Sequence, residues 1–257
     1  NEKIAIEIFE LLERFAAYGF NKSHSTGYAM IAYQTAWLKL YYPAEYYAAN
    51  ISSDINNTDS VVKLFDDAKR NNIKILPPDI NLSFPDFRVI EDNTISYGLG
   101  AIKNVGYKAS EDIATHREDN GKFKTIFDLC TTSSSAINKK TLESLILSGA
   151  CDNVEGHRAQ QFESIEKTIR FGQLYNQNAN NNQESLFSGE ETNLQIPTPA
   201  LEEVEPWTDE KCLSKEKELI GFYLSGNPLE KYKYDLKDFE IITNNKRDGE
   251  LRVGGII

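Results

Sequence analysis

Tyr97-Gly98-Leu99-Gly100-Ala101-Ile102-Lys103-Asn104-Val105-Gly106 is the stretch around which the rest of the sequence arranges itself. It packs three glycines into the nine residues from Gly98 to Gly106, with one lysine and apolar neighbours. A glycine costs about 1 kcal/mol relative to alanine in a helix interior, so this is not an ordinary helix. Such glycines stand where the main chain turns sharply or approaches something closely.

On either side the pattern is helical. Upstream, Ile4, Ile8, Leu11, Leu12 and Phe15 recur at three- and four-residue spacing from Glu2 to Tyr18, as in an amphipathic helix. A second long helix is expected from Gly27 to Tyr41, ending before Pro43, and a third from Asp59 to Arg70. The aromatic series Tyr28, Tyr33, Trp37, Tyr41, Tyr42, Tyr46 and Tyr47 reads mostly as core packing. Ile73 to Leu76 reads as a short strand. The three prolines between Pro77 and Pro85 then suggest a stiff connector and a first domain boundary. Phe87 to Ile90 and Thr94 to Tyr97 form a β-hairpin around Glu91-Asp92-Asn93 and lead into the glycine stretch.

Downstream, a helix over Lys108 to Arg117 is stopped by Gly121. Ile137 to Leu147, the turn Ser148-Gly149-Ala150-Cys151-Asp152 and Arg158 to Arg170 repeat the same helix, turn, helix plan. The run Asn-Gln-Asn-Ala-Asn-Asn-Asn from Asn176 to Asn182 reads as low-complexity linker, continuing through acids and prolines to Pro206. Gln183-Glu184-Ser185-Leu186-Phe187 strands an apolar pair inside it, as a short linear motif would; a competing reading docks the pair on the chain's own surface. A helix from Cys212 to Gly221 follows, and Ile241-Ile242 and Leu251 to Ile257 read as strands.

Charge narrows the functions open to such a chain. The net charge is −11, which argues against binding nucleic acid by bulk electrostatics. Eight of the acids fall between Glu184 and Glu210 with no Lys or Arg among them, leaving only −3 for the remainder. A nucleic-acid surface would therefore be a local patch. The three cysteines, Cys130, Cys151 and Cys212, are unpaired in spacing, which points to a reduced cytosolic protein without a zinc site. No apolar run reaches the about 20 residues of a membrane span. Asn1 in place of an initiating Met suggests a piece of something longer. There is no Walker loop, GxSxG, histidine-rich box or paired aspartate cluster, so the piece is expected to be inactive by itself.

Two helices joined by a glycine-rich hairpin aim backbone amides at phosphate oxygens, and Gly98, Gly100, Lys103, Asn104, Val105, Gly106 and Lys108 meet that demand. Gly106 would let a phosphate approach a helix start while Lys103 and Lys108 supply charge. The competing reading is a plain αα-corner in which Gly100 and Gly106 serve packing. Lys22, Ser23 and His24 likewise sit at the opening of a helix, where an anion is favoured; the bland alternative there is a capped helix start with solvated polar residues.

Several ordered stretches resemble a known family. Phe15-Ala16-Ala17-Tyr18-Gly19-Phe20-Asn21-Lys22-Ser23-His24-Ser25, Leu76-Pro77-Pro78-Asp79-Ile80-Asn81, Tyr97 to Lys103, Ser148-Gly149-Ala150 and Leu219 to Leu229 are similar to segments of the α subunits of bacterial DNA polymerase III, the C-family replicative polymerases. The resemblance implies a mainly α chain: a fingers part over 1–76, a tandem helix-hairpin-helix module over 77–170, a flexible acidic linker over 171–206, a helical connector over 207–240, and the start of a truncated OB-fold over 241–257. It also implies nucleotide or template contact by Lys22, Ser23 and His24, and sliding-clamp binding by Gln183, Leu186 and Phe187, with Glu184 standing where the family more often has Leu. Duplex DNA, the sliding clamp and other holoenzyme subunits would be the partners, in the cytoplasm. Phosphoesterase and palm domains with the catalytic aspartates would precede Asn1, and Mg would serve the full-length polymerase only. The alternatives are a free-standing tandem helix-hairpin-helix scaffold for DNA binding or repair, and a helical protein-interaction domain.

Overall fold

The computed structural model describes residues 2–17, 22–132, 137–184 and 197–228, and the strands expected over 241–257 lie outside them. Helices dominate: α1 (Glu2–Ala17), α2 (Lys22–Tyr41), α3 (Pro43–Ser53), α4 (Thr58–Arg70), α5 (Tyr107–Asn120), α6 (Ile126–Thr131), α7 (Lys139–Leu147), α8 (Arg158–Glu163), α9 (Ile165–Glu184) and α10 (Asp209–Ile220). Side chains cap several of them as their sequences demand. Asn57, Thr125, Asn138 and Thr208 each accept a first-turn amide of α4, α6, α7 and α10.

A small sheet stands between α4 and the hairpin. β2 (Arg88–Glu91) and β3 (Thr94–Ser96) form the expected antiparallel pair, with Asn93 at φ 57° in the turn. β1 (Lys74–Ile75) joins β3 in parallel on the other side, through Lys74 N–H to Asn93 O and Leu76 N–H to Ile95 O. That third strand gives the order β1-β3-β2.

The Pro77–Pro85 connector is not a domain boundary. Ile80 is fully buried and its N–H donates to Ala150 O, while Ser52 on α3 accepts the Phe87 N–H and α3 packs on β2 and β3. One continuous core therefore runs from Ala44 through Tyr47, Ile95, Leu99, Ile113, Phe127 and Leu142 to Ile220. Prolines stiffen this stretch without separating its ends.

The aromatic series departs from expectation. Only Tyr47 is fully buried, whereas Tyr28, Tyr33, Trp37, Tyr41 and Tyr42 are exposed, as is every described side chain of α1. α2 spreads its apolar residues around its circumference and buries none of them, so it offers no single stripe to the core. A polar link ties its far end down: Lys39 pairs with Asp67 on α4, which also accepts a hydrogen bond from the Tyr47 hydroxyl at 2.8 Å. The hydrogen bond to Asp67 raises the Lys39 pKa, and those from Lys39 and Tyr47 lower that of Asp67. The carboxylate side of the link is lost only as pH falls below the ordinary Asp range, and the lysine side only as it rises past the ordinary Lys range, so the tie persists at neutral pH.

Two further corrections concern the second half. The helix expected over Arg158 to Arg170 is two helices, α8 and α9, meeting at Ser164. Residues 171–184, expected as linker, continue α9, which runs on through the asparagine run to Glu184. Phe171 is buried, and Gly172 lies so close to Cys130 that a Cβ would approach its carbonyl to 2.5 Å. A helix nucleated by that packing extends into a sequence that would not start one. Residues 197–207 are likewise a docked strap: Leu201 packs on the core, Glu202 N–H donates to Ser164, Lys167 pairs with Glu202 at 2.6 Å, and Trp207 tilts on Phe162.

All three cysteines are free, with Cys130 and Cys151 buried. Burial pushes the Cys130 thiol up to about 12 and raises that of Cys151 as well.

Candidate nucleic-acid interface

The hairpin is built from the glycine stretch upward. Leu99–Ala101 forms a single 3-10 turn laid on the backbone of Phe84–Phe87, with Leu99 N–H donating to Phe84 O and Gly100 N–H to Pro85 O. A Cβ on Gly98 would come within 2.9 Å of Asp86 and Phe87 backbone atoms, and one on Gly100 within 2.9 Å of Pro85 O. These two glycines permit close packing of chain on chain. Leu99, Ile102 and Val105 fill the core beneath.

The loop itself is fixed from two sides. Asn104 takes φ 68°, a left-handed conformation that asparagine tolerates. Its side-chain amide donates to Ser144 Oγ on α7 at 3.2 Å, and its carbonyl accepts from Thr141 Oγ1. On the opposite side Lys103 N–H donates to Leu219 O of α10 at 3.1 Å.

Gly106 differs from the other two glycines. It is the N-cap of α5 at φ −68° and ψ 159°, caps nothing with a side chain, and has nothing within 4 Å of where a Cβ would lie. The amides from Leu99 to Lys103, and that of Val105, donate within the chain. Those of Gly106, Tyr107, Lys108 and Ala109 find no acceptor among the described residues. Four donors thus converge at an open helix start, the arrangement that binds an oxyanion. Nearby charge is modest. Lys103 is exposed and forms no ion pair among the described residues, whereas Lys108 is held by Asp112 at 2.7 Å and Glu111 at 3.6 Å. The exposed Tyr107, at the first position of α5, was not singled out by sequence; the only signal was its place directly after Gly106. Asp86 beside its hydroxyl raises its pKa.

The second hairpin follows the same chain order with a different surface. His157 and Gln160 cap each other at the start of α8, and the Gln161 amide draws in the carbonyls of Cys151, Glu155 and Gly156. Leu201 of the strap lies against Gly156, where a side chain would collide with it. Arg158 forks onto Asp152 at 2.7 and 2.6 Å and also donates to Cys212 O. The helix start of this hairpin thus carries a side-chain cap, which that of the first does not.

The remaining predicted site residues lie apart from the first hairpin. Lys22, Ser23 and His24 form the first turn of α2, exposed, with the His24 ring edge-on to Tyr28 at 4.5 Å; Phe20 and Asn21 lie outside the described residues. Gln183 belongs to the last turn of α9, while its side chain, Leu186 and Phe187 lie outside the described residues. Among the described residues no group of His, Cys, Asp and Glu could hold a metal, and no helix is long and apolar enough to cross a membrane.

A glycine hairpin with an uncapped helix start followed by one with a side-chain cap is a tandem helix-hairpin-helix arrangement, and a model of the helix-hairpin-helix motif matches residues 72–161. Similarity extends well beyond that module. The chain is 41% identical over 255 residues to DNA polymerase III subunit alpha of Buchnera aphidicola, covering 98% of this chain and 22% of the relative. The same subunit of Vibrio cholerae is 38% identical over 268 residues, covering 99% and 22%, and that of Escherichia coli K12 is 40% identical over 241, covering 93% and 20%. The chain is thus similar along nearly all its length to DNA polymerase III subunit alpha, and it spans about a fifth of the length of these relatives.

The two kinds of glycine should separate in stability. Gly100→Ala is expected to lower the unfolding free energy by about 1–3 kcal/mol through overpacking. Gly106→Ala should stay within about 0.5 kcal/mol of the parent, since its space is open and its φ ordinary. Urea titrations of the two variants check this, and equal losses would contradict it.

Proposed function

We propose that this chain is a segment of the α subunit of a bacterial replicative DNA polymerase III, a DNA-directed DNA polymerase, in which it grips duplex DNA without reading sequence and connects the enzyme to its sliding clamp. The observation that carries the reading is the open start of α5, where four unpartnered amides stand beside the exposed Lys103 on a loop fixed from both sides. Phosphate oxygens accept from the Gly106, Tyr107 and Lys108 amides, the missing Cβ of Gly106 admits the phosphate, and Lys103 adds charge. Gly98, Gly100, Asn104 and Val105 act by holding the loop in that shape. The similarity along α1 and α2, outside the helix-hairpin-helix match, favours a polymerase over a free-standing DNA-binding scaffold.

Within such an enzyme residues 1–76 belong to the fingers, and Lys22, Ser23 and His24 at the exposed start of α2 face nucleotide or template. The duplex module of 77–170 shares its core with α3 and α4, so grip and fingers are mechanically joined. Gln183, Leu186 and Phe187 form the clamp-binding peptide. Burying its Leu and Phe contributes about 1.5–3 kcal/mol each, a modest affinity that tethering to DNA-bound polymerase amplifies. Mg would neutralise charge on the reacting phosphates of the full-length polymerase; among the described residues of this segment no cluster of His, Cys, Asp and Glu fits it. A bacterial cytoplasmic location and other holoenzyme subunits as partners belong to the same reading.

Two measurements test it. Lys103→Ala should weaken duplex binding and flatten the slope of log K against log salt by about 0.9, one phosphate contact, while Gly106→Ala weakens binding with the slope nearly kept. An unchanged affinity in both would contradict the grip. Leu186→Ala with Phe187→Ala should abolish binding to the sliding clamp and leave duplex affinity intact; retained clamp binding would refute that assignment.

A further inference from the structure

We infer that α10 is a structural part of the duplex grip and that Glu216, which lies on α10 and not on the hairpin, is a positioning residue for DNA binding; the inference rests on the duplex reading above. The starting point is the hydrogen bond from Lys103 N–H to Leu219 O, which uses one of the last carbonyls of α10 to hold the loop that presents Gly106. Nothing in the hairpin sequence provides that acceptor. Removing it leaves the loop held only from the α7 side, by the Asn104 contacts with Ser144 and Thr141.

Leu219 can serve only if α10 stays in place, and Glu216 is central to that. Its side chain is almost wholly buried and accepts hydrogen bonds from Leu224 N–H at 3.0 Å, Ser225 N–H at 2.8 Å and Ser225 Oγ at 2.5 Å. These bonds fold the chain back along the helix after Gly221, which turns at φ 96° against Thr58 of α4. Arg158 of the second hairpin approaches the same carboxylate at 3.7 Å while binding Asp152 and the carbonyl of Cys212. Phe222 then packs edge-on against Phe65 at 5.0 Å, and Ile220 enters the core. The two hairpins and α4 therefore meet on one helix. The second hairpin contributes to DNA binding by anchoring α10 through Arg158.

Duplex titration of the full chain by fluorescence anisotropy tests the coupling. Glu216→Ala should weaken binding about three- to tenfold, and Ser225→Ala, a milder change that leaves the carboxylate in place, about twofold. Glu216→Gln keeps the carbonyl oxygen that accepts the Leu224 and Ser225 amides, so it should recover binding to within about twofold of the parent. Because Glu216 acts through the hairpin, Glu216→Ala combined with Lys103→Ala should fall short of the product of the single effects. Wild-type affinity in Glu216→Ala, a strictly multiplicative double variant, or a Gln variant as weak as the Ala one would overturn the inference. If Lys103→Ala and Gly106→Ala themselves leave binding unchanged, the duplex reading falls and takes the coupling with it, a pattern distinct from loss of the Glu216 effect alone.

Discussion

A loop of five residues, Ile102 to Gly106, is clamped between α7 and α10, and the one helix start of the two hairpins that lacks a side-chain cap depends on that clamp. Hydrogen-bond accounting explains why. Amides that are satisfied internally cannot serve a ligand, and those at the head of α5 remain because the loop feeds the helix through a glycine with no capping side chain. A serine or aspartate there would satisfy one of these amides itself. The vacancy is thus a property of Gly106 in a rigid setting, and rigidity comes from neighbours distant in sequence.

Much of the fold was legible because local rules and tertiary packing agree. Helix periodicity and the Glu91-Asp92-Asn93 turn placed α4 and the β2–β3 pair close to where they are, and the helix expected from Cys212 to Gly221 overlaps α10. Legibility failed where packing overrides composition. The asparagine run is polar and still helical, because it continues a helix that Phe171 and Gly172 dock on Phe127 and Cys130 of α6. The strap at 197–207 reads as an exposed acidic tether, yet Leu201 meets Gly156 and Glu202 finds Ser164 and Lys167, partners that no local pattern announces. The aromatics of α2 failed in the other direction, exposed where burial was expected.

The hairpin glycines show both limits at once. Sequence offered packing or ligand approach as alternatives for the whole stretch, and the geometry divides it: Gly98 and Gly100 press against Pro85–Phe87, while Gly106 faces open space. The tandem plan was visible in the letters, but the capping of α8 by His157 and Gln160 and the seating of Leu201 against Gly156 were not. The net charge of −11 is compatible with a phosphate seat because backbone dipoles, not side-chain surplus, form it, and because Glu202 of the strap is paired with Lys167.

The central claim, that the amides opening α5 are the phosphate seat, is tested most directly by nitrogen-15 NMR titration of the chain with a short duplex. The account predicts salt-sensitive shifts centred on the Gly106, Tyr107 and Lys108 amides, with those of His157 to Ala159 at the second hairpin unmoved. Shifts of equal size at both hairpins, or none at Gly106 to Lys108 while DNA is bound, would contradict it.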